Sequence, residues 1–329
     1  MYNINGNTAQ RIEPVTFSEL KMTESEIEEL LRKNIEMICD EEESLLIVGR
    51  QVRNEKKGRS DLTAVDNNGS IVLIEIKRDR QDIVKRKEAF EFQAIRYAAS
   101  YATINDTDEL VKQIYSPYIE KYKEEFQLGI LTSFELGIRK INEFLEVNDS
   151  INTFNDNQRI VLVASKFDEQ TLSAVAWLNK NNVDISCYSL TPYRIKEEIY
   201  FDVDKILPTT DYDSYYVNIM NKSLISSKTG NKKRKKRILP KIDSMLEWGV
   251  VKPGDIIQAK NKQDEATLLA NGNVMVDNEE RSMQSWLKEL YGWSSVQTYL
   301  FAIHKDSGKS LSEIRDEYIE AQEGEEDLS

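Results

Sequence analysis

The run Ile71-Val72-Leu73-Ile74-Glu75-Ile76-Lys77 is apolar except at two positions, and it follows Asn67-Asn68-Gly69. That order reads as a strand entered from a tight turn, with Gly69 free to take positive φ. Strand side chains alternate, so Leu73, Glu75 and Lys77 share one side while Val72, Ile74 and Ile76 share the other. The run from Asp61 to Asp66 is the expected hairpin partner, and pairing across the turn brings Asp61 toward Glu75 and Lys77. Upstream, Thr23-x-x-Glu26 is a capping box. Ile27, Leu30, Leu31, Ile35 and Ile38 follow at helical spacing, which predicts a helix to about Met37 or Ile38. Leu45 to Val52 reads as a strand, and the polar residues 1–20 as a lead-in strand or arm.

Downstream, a helix is predicted from about Lys85 to Thr103. Gln93 and Tyr97 lie four apart on one of its faces, beside a stripe of Phe90, Ala94, Ala98 and Tyr101 suited to packing on a sheet. Further helices are expected over 106–147, including Asp108 to Lys123 and Phe134 to Leu145. A strand from Arg159 to Ala164, a helix from Glu169 to Asn179 and a strand from Val183 to Tyr188 then make a crossover unit in the same sheet. Ile195 to Val203 reads as an edge hairpin. The fold class is therefore α/β, a mixed β-sheet flanked by helices, with a small α+β domain after it.

That second domain shows as a change in composition. Residues 1–222 form the first domain. Residues 223–237 read as a flexible linker ending in six basic residues, Lys232, Lys233, Arg234, Lys235, Lys236 and Arg237. From 238 to 318 the pattern resumes with a helical stripe ended near Gly249, and a turn at Val251-Lys252-Pro253-Gly254-Asp255. A strand from Ile256 to Lys260 and a hairpin about Asn271-Gly272 come next, then a helix around Met283 to Leu290 and a last helix from Ser312. Residues 319–329 read as an acidic, disordered tail.

Length and charge narrow the function. At 329 residues, with 40% apolar and 31% charged positions, the chain is long enough for two domains with real cores. No apolar run approaches a membrane span and the N-terminus carries no signal-peptide pattern, so no membrane partner is expected. Two cysteines, Cys39 and Cys187, suit a reducing cytoplasm. The single histidine, His304, leaves any metal to carboxylates. A net charge of −13 argues against indiscriminate coating of nucleic acid, although local patches such as Arg78, Arg80, Lys85, Arg86 and Lys87 remain open to phosphate. That cluster is either a backbone contact or a solvated helix start. The basic linker is likewise either a phosphate contact or solvated chain.

The chemistry sits in the hairpin. Two carboxylates and an ammonium on a largely apolar sheet are costly without a compensating cation, because like charges repel and burial penalises each. A hard divalent metal held through oxygen, Mg²⁺ or Mn²⁺ on Asp61 and Glu75, resolves that cost. Gln51, at the end of its strand, could reach a metal-bound water or a phosphate, or be an ordinary strand-end polar residue.

Asp61 followed by Glu75-x-Lys77 resembles the PD-(D/E)xK nuclease superfamily, and Gln93-x-x-x-Tyr97 resembles the QxxxY motif of its RecB-like members. Ser60 stands where the eponymous proline would be. The resemblance covers roughly residues 20 to 205. It implies a restriction-endonuclease-like core and metal-dependent endonucleolytic hydrolysis of DNA. Asp61, Glu75, Lys77, Gln93, Tyr97 and a first-helix glutamate, Glu28, would carry the site, with Arg59 beside it on the strand. Glu28 is open to a second reading as a surface charge, and Tyr97 to one as an aromatic core residue. The C-terminal motifs Lys252-Pro253-Gly254-Asp255, Ala266-Thr267-Leu268-Leu269 with Asn271-Gly272, Gly292-Trp293, and Leu311 with Arg315 resemble the RAMA domain of restriction systems. This implies a DNA-reading module in restriction or defence against foreign DNA, with or without base modification. Trp286, Trp293 and Tyr299 would then be either a base-stacking surface or a small core. A single site cuts one strand, so double-strand cleavage would call for a homodimer. The alternatives are a non-cleaving DNA-binding module and an interaction protein joining restriction components.

Overall fold

The computed structural model describes residues 2–39, 41–54, 58–84, 88–209, 212–217 and 239–326. The chain divides into two compact units, one of Met1–Ile38 with Ile47–Lys235, the other of Cys39–Leu46 with Lys236–Ser329. The return of residues 39–46 to the second unit has no signature in the pattern of the chain.

The first unit opens with an exposed hairpin, β1 (Tyr2–Asn5) and β2 (Thr8–Arg11). Helix α1 (Glu24–Lys33) begins at the expected capping box, with Thr23 and Glu26 bonding each other's backbone. It stops earlier than its apolar spacing suggests. Asn34 caps it, and Ile35–Ile38 continue as a 3₁₀ turn that keeps Ile35 and Ile38 in the core.

Strands β3 (Leu45–Arg53), β4 (Arg59–Asp66) and β5 (Ile71–Lys77) follow. The β4–β5 turn is as predicted: Gly69 has φ +82°, and the Asp66 carboxylate accepts from the Asn68 and Ser70 amides. Strand β5 is buried along its whole length because it is central, antiparallel to β4 and parallel to β6 (Gln158–Ala164). Between them come α2 (Arg80–Val84) and α3 (Phe90–Tyr101), two helices where one was expected. Next are α4 (Thr107–Leu110), a π-helical turn (Val111–Tyr115), α5 (Ser116–Lys121) and α6 (Ser133–Val147).

The π turn has a local cause. Pro117 has no N–H to give and its ring crowds the Gln113 carbonyl, so the backbone widens there. Ser116 N–H accordingly bonds the Val111 carbonyl, five residues back. Helix α7 (Glu169–Lys180), N-capped by Asp168, crosses over to β7 (Ile185–Ile195), parallel to β6, and β8 (Glu198–Leu207) closes the edge. The result is a six-stranded mixed sheet, β3-β4-β5-β6-β7-β8, flanked by helices.

The second unit holds α8 (Ile242–Glu247), β9 (Ile256–Ala259), β10 (Glu265–Leu268), β11 (Val274–Val276) and β12 (Glu279–Arg281). It continues with α9 (Met283–Tyr291), α10 (Thr298–Phe301), β13 (Ala302–His304), β14 (Lys309–Ser310) and α11 (Leu311–Glu326). Its sheet is antiparallel in the order β12-β11-β10-β9-β13-β14. Helix α11 carries on through Glu326, so most of the acidic stretch expected to be a disordered tail is helical. Residues 39–46 are bound into this unit by backbone bonds between Leu45 and Ser295, by Thr298 N–H to the Glu41 carbonyl, and by an Arg315–Glu42 ion pair of 2.6 Å. Among the described residues, no helix is long and apolar enough to cross a membrane.

Candidate active site

Leu62 lies opposite Ile74 in the β4–β5 ladder, and one further step of the same register sets Asp61 opposite Glu75. There the ladder ends in a side-chain bond: the Ile76 amide donates to Asp61 Oδ2 at 2.8 Å. The Lys77 ammonium donates to the Ile76 carbonyl at 2.6 Å and lies 3.8 Å from Asp61 Oδ2 and 3.5 Å from Glu24 Oε1 of α1. The Phe90 ring of α3 covers it at 5.6 Å. Asp61, Glu75 and Lys77 are 6%, 0% and 2% exposed, far below what solvated surface charges would show. Burial pushes the Asp61 carboxyl from 3.8 up to about 6. Lys77 and the Ile76 amide pull it down, while the charges of Glu28 and Glu24 push it further up.

Glu28 is buried beside this group rather than on a rim, its Oε2 accepting from Arg50 Nε at 3.1 Å and from Gln51 Nε2 at 2.9 Å. Arg50 also holds Glu29, Tyr122 and Ser25. Burial lowers its basicity, but the bonds to Tyr122 and Glu28 outweigh that and leave its pKa raised. Gln51 reaches Glu28 from a left-handed backbone, φ +56°, which β-strand residues rarely adopt. Its side chain thus serves the Glu28 carboxylate.

On the other side, Gln93 Nε2 lies 3.4 Å from both Glu75 Oε2 and the Tyr97 hydroxyl, so helical spacing on α3 makes one amide span both partners. The Tyr97 hydroxyl also accepts from the Arg59 amide at 3.0 Å, and Gly58 lies against the ring: a Cβ there would come within 2.5 Å of Tyr97 Cε1. Tyr97 is therefore both buried and polar at its tip. Tyr101, expected as sheet packing, bonds Ser60 at 2.6 Å and Thr63 at 2.7 Å. Its burial pushes the phenol up to about 12.

The remaining site residues fall out unevenly. Arg59 is exposed, and Arg78 pairs with Asp82 at 3.2 Å. Lys85, Arg86 and the basic run Lys232 to Arg237 lie outside the described residues. Trp293 is not available for stacking on bases. It is 6% exposed and packed against Tyr291 and Phe301, and Trp286 and Tyr299 share that core. Glu24 and Arg50 were missed as site residues. The signal for Glu24 was present, since it stands one helical turn before Glu28. Arg50 reads from sequence only as a strand-end cation.

Among the described residues, no three His, Cys, Asp or Glu side chains are gathered so as to hold a metal ion alone. A hard divalent cation asks for less, since one or two carboxylates with waters suffice. Asp61 and Glu75 are oxygen donors, and the charge of such a cation would oppose the burial that chiefly drives Asp61 toward protonation, together with the nearby charges of Glu28 and Glu24. The donor set fits. Comparison of the chain with protein-family models and with curated proteins gives no match.

Proposed function

We propose that the first unit is a restriction-endonuclease-like core that hydrolyses DNA phosphodiester bonds with Mg²⁺ or Mn²⁺. The observation that carries this reading is the burial of Asp61, Glu75 and Lys77 on two paired strands. Two acids and an ammonium sunk together in a sheet cost stability that packing alone does not repay. Asp61 and Glu75 would hold the cation, which when bound supplies Lewis acidity toward a phosphoryl oxygen. Lys77 is already oriented by the Ile76 carbonyl and two carboxylates. From there its ammonium donates to the charge that develops on phosphate oxygens or holds the attacking water. Gln93 fixes the Glu75 carboxylate and ties it to Tyr97, while Arg50 and Gln51 hold Glu28 toward the same group.

The second unit is read as a DNA-directed module on its motifs alone. The pair of units, in a chain with only two cysteines, suits a cytoplasmic role in restriction of foreign DNA. The test is divalent-dependent cleavage of single- and double-stranded DNA, modified and unmodified. Lys77→Ala is expected to abolish cleavage while leaving DNA binding near that of the wild type, with circular dichroism checking that the fold persists despite the loss of a buried ammonium. Undiminished cleavage by the Asp61→Ala/Glu75→Ala double variant would refute the reading.

A further inference from the structure

At the end of β3, where Arg50 and Gln51 hold Glu28, lies a cavity of about 330 Å³ whose charged lining residues are all cations. Arg50, Arg53, Arg59 and Lys121 line it, with Gln113 and Tyr118. The four cations are not equivalent. Arg50 is consumed by Glu28, Glu29, Tyr122 and Ser25. Arg53, Arg59 and Lys121 are exposed, and among the described residues none of them makes an ion pair with an acid. On a chain of net charge −13, three cations lining one cavity, with no carboxylate partner among the described residues, suit an anion brought from outside. Two uncommon backbone geometries shape its wall, the left-handed Gln51 and the π turn that carries Gln113. Such strained features cluster where a ligand is held. A smaller cavity of about 100 Å³ adjoins it, sharing Val52, Arg53, Gln113 and Ile114. There Tyr97 and Tyr101 meet the polar Asn54 and Ser100. A cationic chamber opening on an aromatic and hydroxyl-bearing one has the order of parts in a nucleotide: phosphate, then sugar and base.

We propose that the cavity at the end of β3 is a phosphate subsite for the strand being cut, with Arg53, Arg59 and Lys121 as its contacts. It rests on the nuclease reading for what the strand is, but its binding is measurable without cleavage. Arg59 links the two cavities, because it lines the larger one and its backbone amide donates to Tyr97, which lines the smaller.

The experiment measures anisotropy of a labelled single-stranded oligonucleotide with the full chain in EDTA, across a salt series. Wild type is compared with Arg53→Ala/Lys121→Ala and with the charge-retaining Arg53→Lys/Lys121→Arg. Both positions are exposed, and circular dichroism checks that the fold persists. The alanine pair is expected to weaken binding by about tenfold or more at low salt and to lower the log–log salt slope by roughly 1, with the charge-retaining pair restoring both. Equal affinity and slope in the alanine pair, or no binding by wild type, would overturn the proposal. Displacement of the strand by inorganic phosphate or a mononucleotide at comparable concentration would assign the cavity to small phosphate esters and overturn it for strands. The nuclease reading fails separately. Cavity-dependent binding without cleavage in Mg²⁺ or Mn²⁺ keeps the subsite and removes the hydrolase, whereas cleavage with an unchanged KM in the alanine pair does the reverse.

Discussion

Asp61 is asked to carry a charge in a place that resists it. Its pKa, near 3.8 in an unfolded chain, stands at about 6 in the fold, so the native state binds the extra proton between those values. Stability from this group is therefore highest at low pH, falls as pH rises from about 4 to 6, and stays reduced above. Asp61→Asn is expected to melt higher than wild type at pH 7 to 8 in the absence of divalent ions, by the equivalent of about 1–3 kcal/mol. The gap should close below pH 4 and shrink when millimolar Mg²⁺ is added to the wild type, all read by thermal melts. At this scale the sequence was informative where a residue's identity and its spacing agree. Asp61, Glu75, Lys77 and Gln93 meet their expected neighbours because strand alternation and the four-residue helical step are local rules. Arg50 and Tyr101 were not legible as parts of the site, since their partners are more than 20 residues away and nothing in the chain's pattern encodes such pairings.

Strand β3 shows how one element is shaped by another that is distant in sequence. At Gly49 an added Cβ would sit 2.7 Å from Ile114 of the π turn and 2.7 Å from Val52. Gly49→Ala is expected to destabilise the first unit by about 1–3 kcal/mol in chemical denaturation, by overpacking. It should also weaken oligonucleotide binding, because the side chains that must give way, Ile114 and Val52, both line the cavity. Much of the first unit's sheet was readable from periodicity, including the hairpin and the β6–α7–β7 crossover, whereas α2 was not. Nor were the interruptions of its helices. Asn34 ends α1 a turn early, and Pro117 diverts the helical run that leads up to it into a π turn instead of breaking it. Each outcome depends on what the freed backbone groups find nearby.

For the molecule as a whole, the aromatic residues of the second unit decide between surface and core. Trp293 lies between Tyr291 and Phe301, so Trp293→Ala should cost about 3–5 kcal/mol and lower the melting temperature of that unit. DNA affinity, measured below the melting range, should stay unchanged. The two-unit plan was legible from the abrupt change in composition, but the contribution of residues 39–46 was not. Those residues follow a helix in sequence, and only the bonds from Leu45, Glu41 and Glu42 reveal their allegiance. This has a practical consequence for anyone dissecting the protein. Expressing residues 239–326 by themselves would discard the Glu42 partner of a fully sequestered Arg315, leave the Ser295 and Thr298 amides unserved, and yield an unstable fragment. Grafting 39–46 back through a short glycine–serine tether, or adding that octapeptide in solution, should restore cooperative unfolding, while a scrambled octapeptide should not.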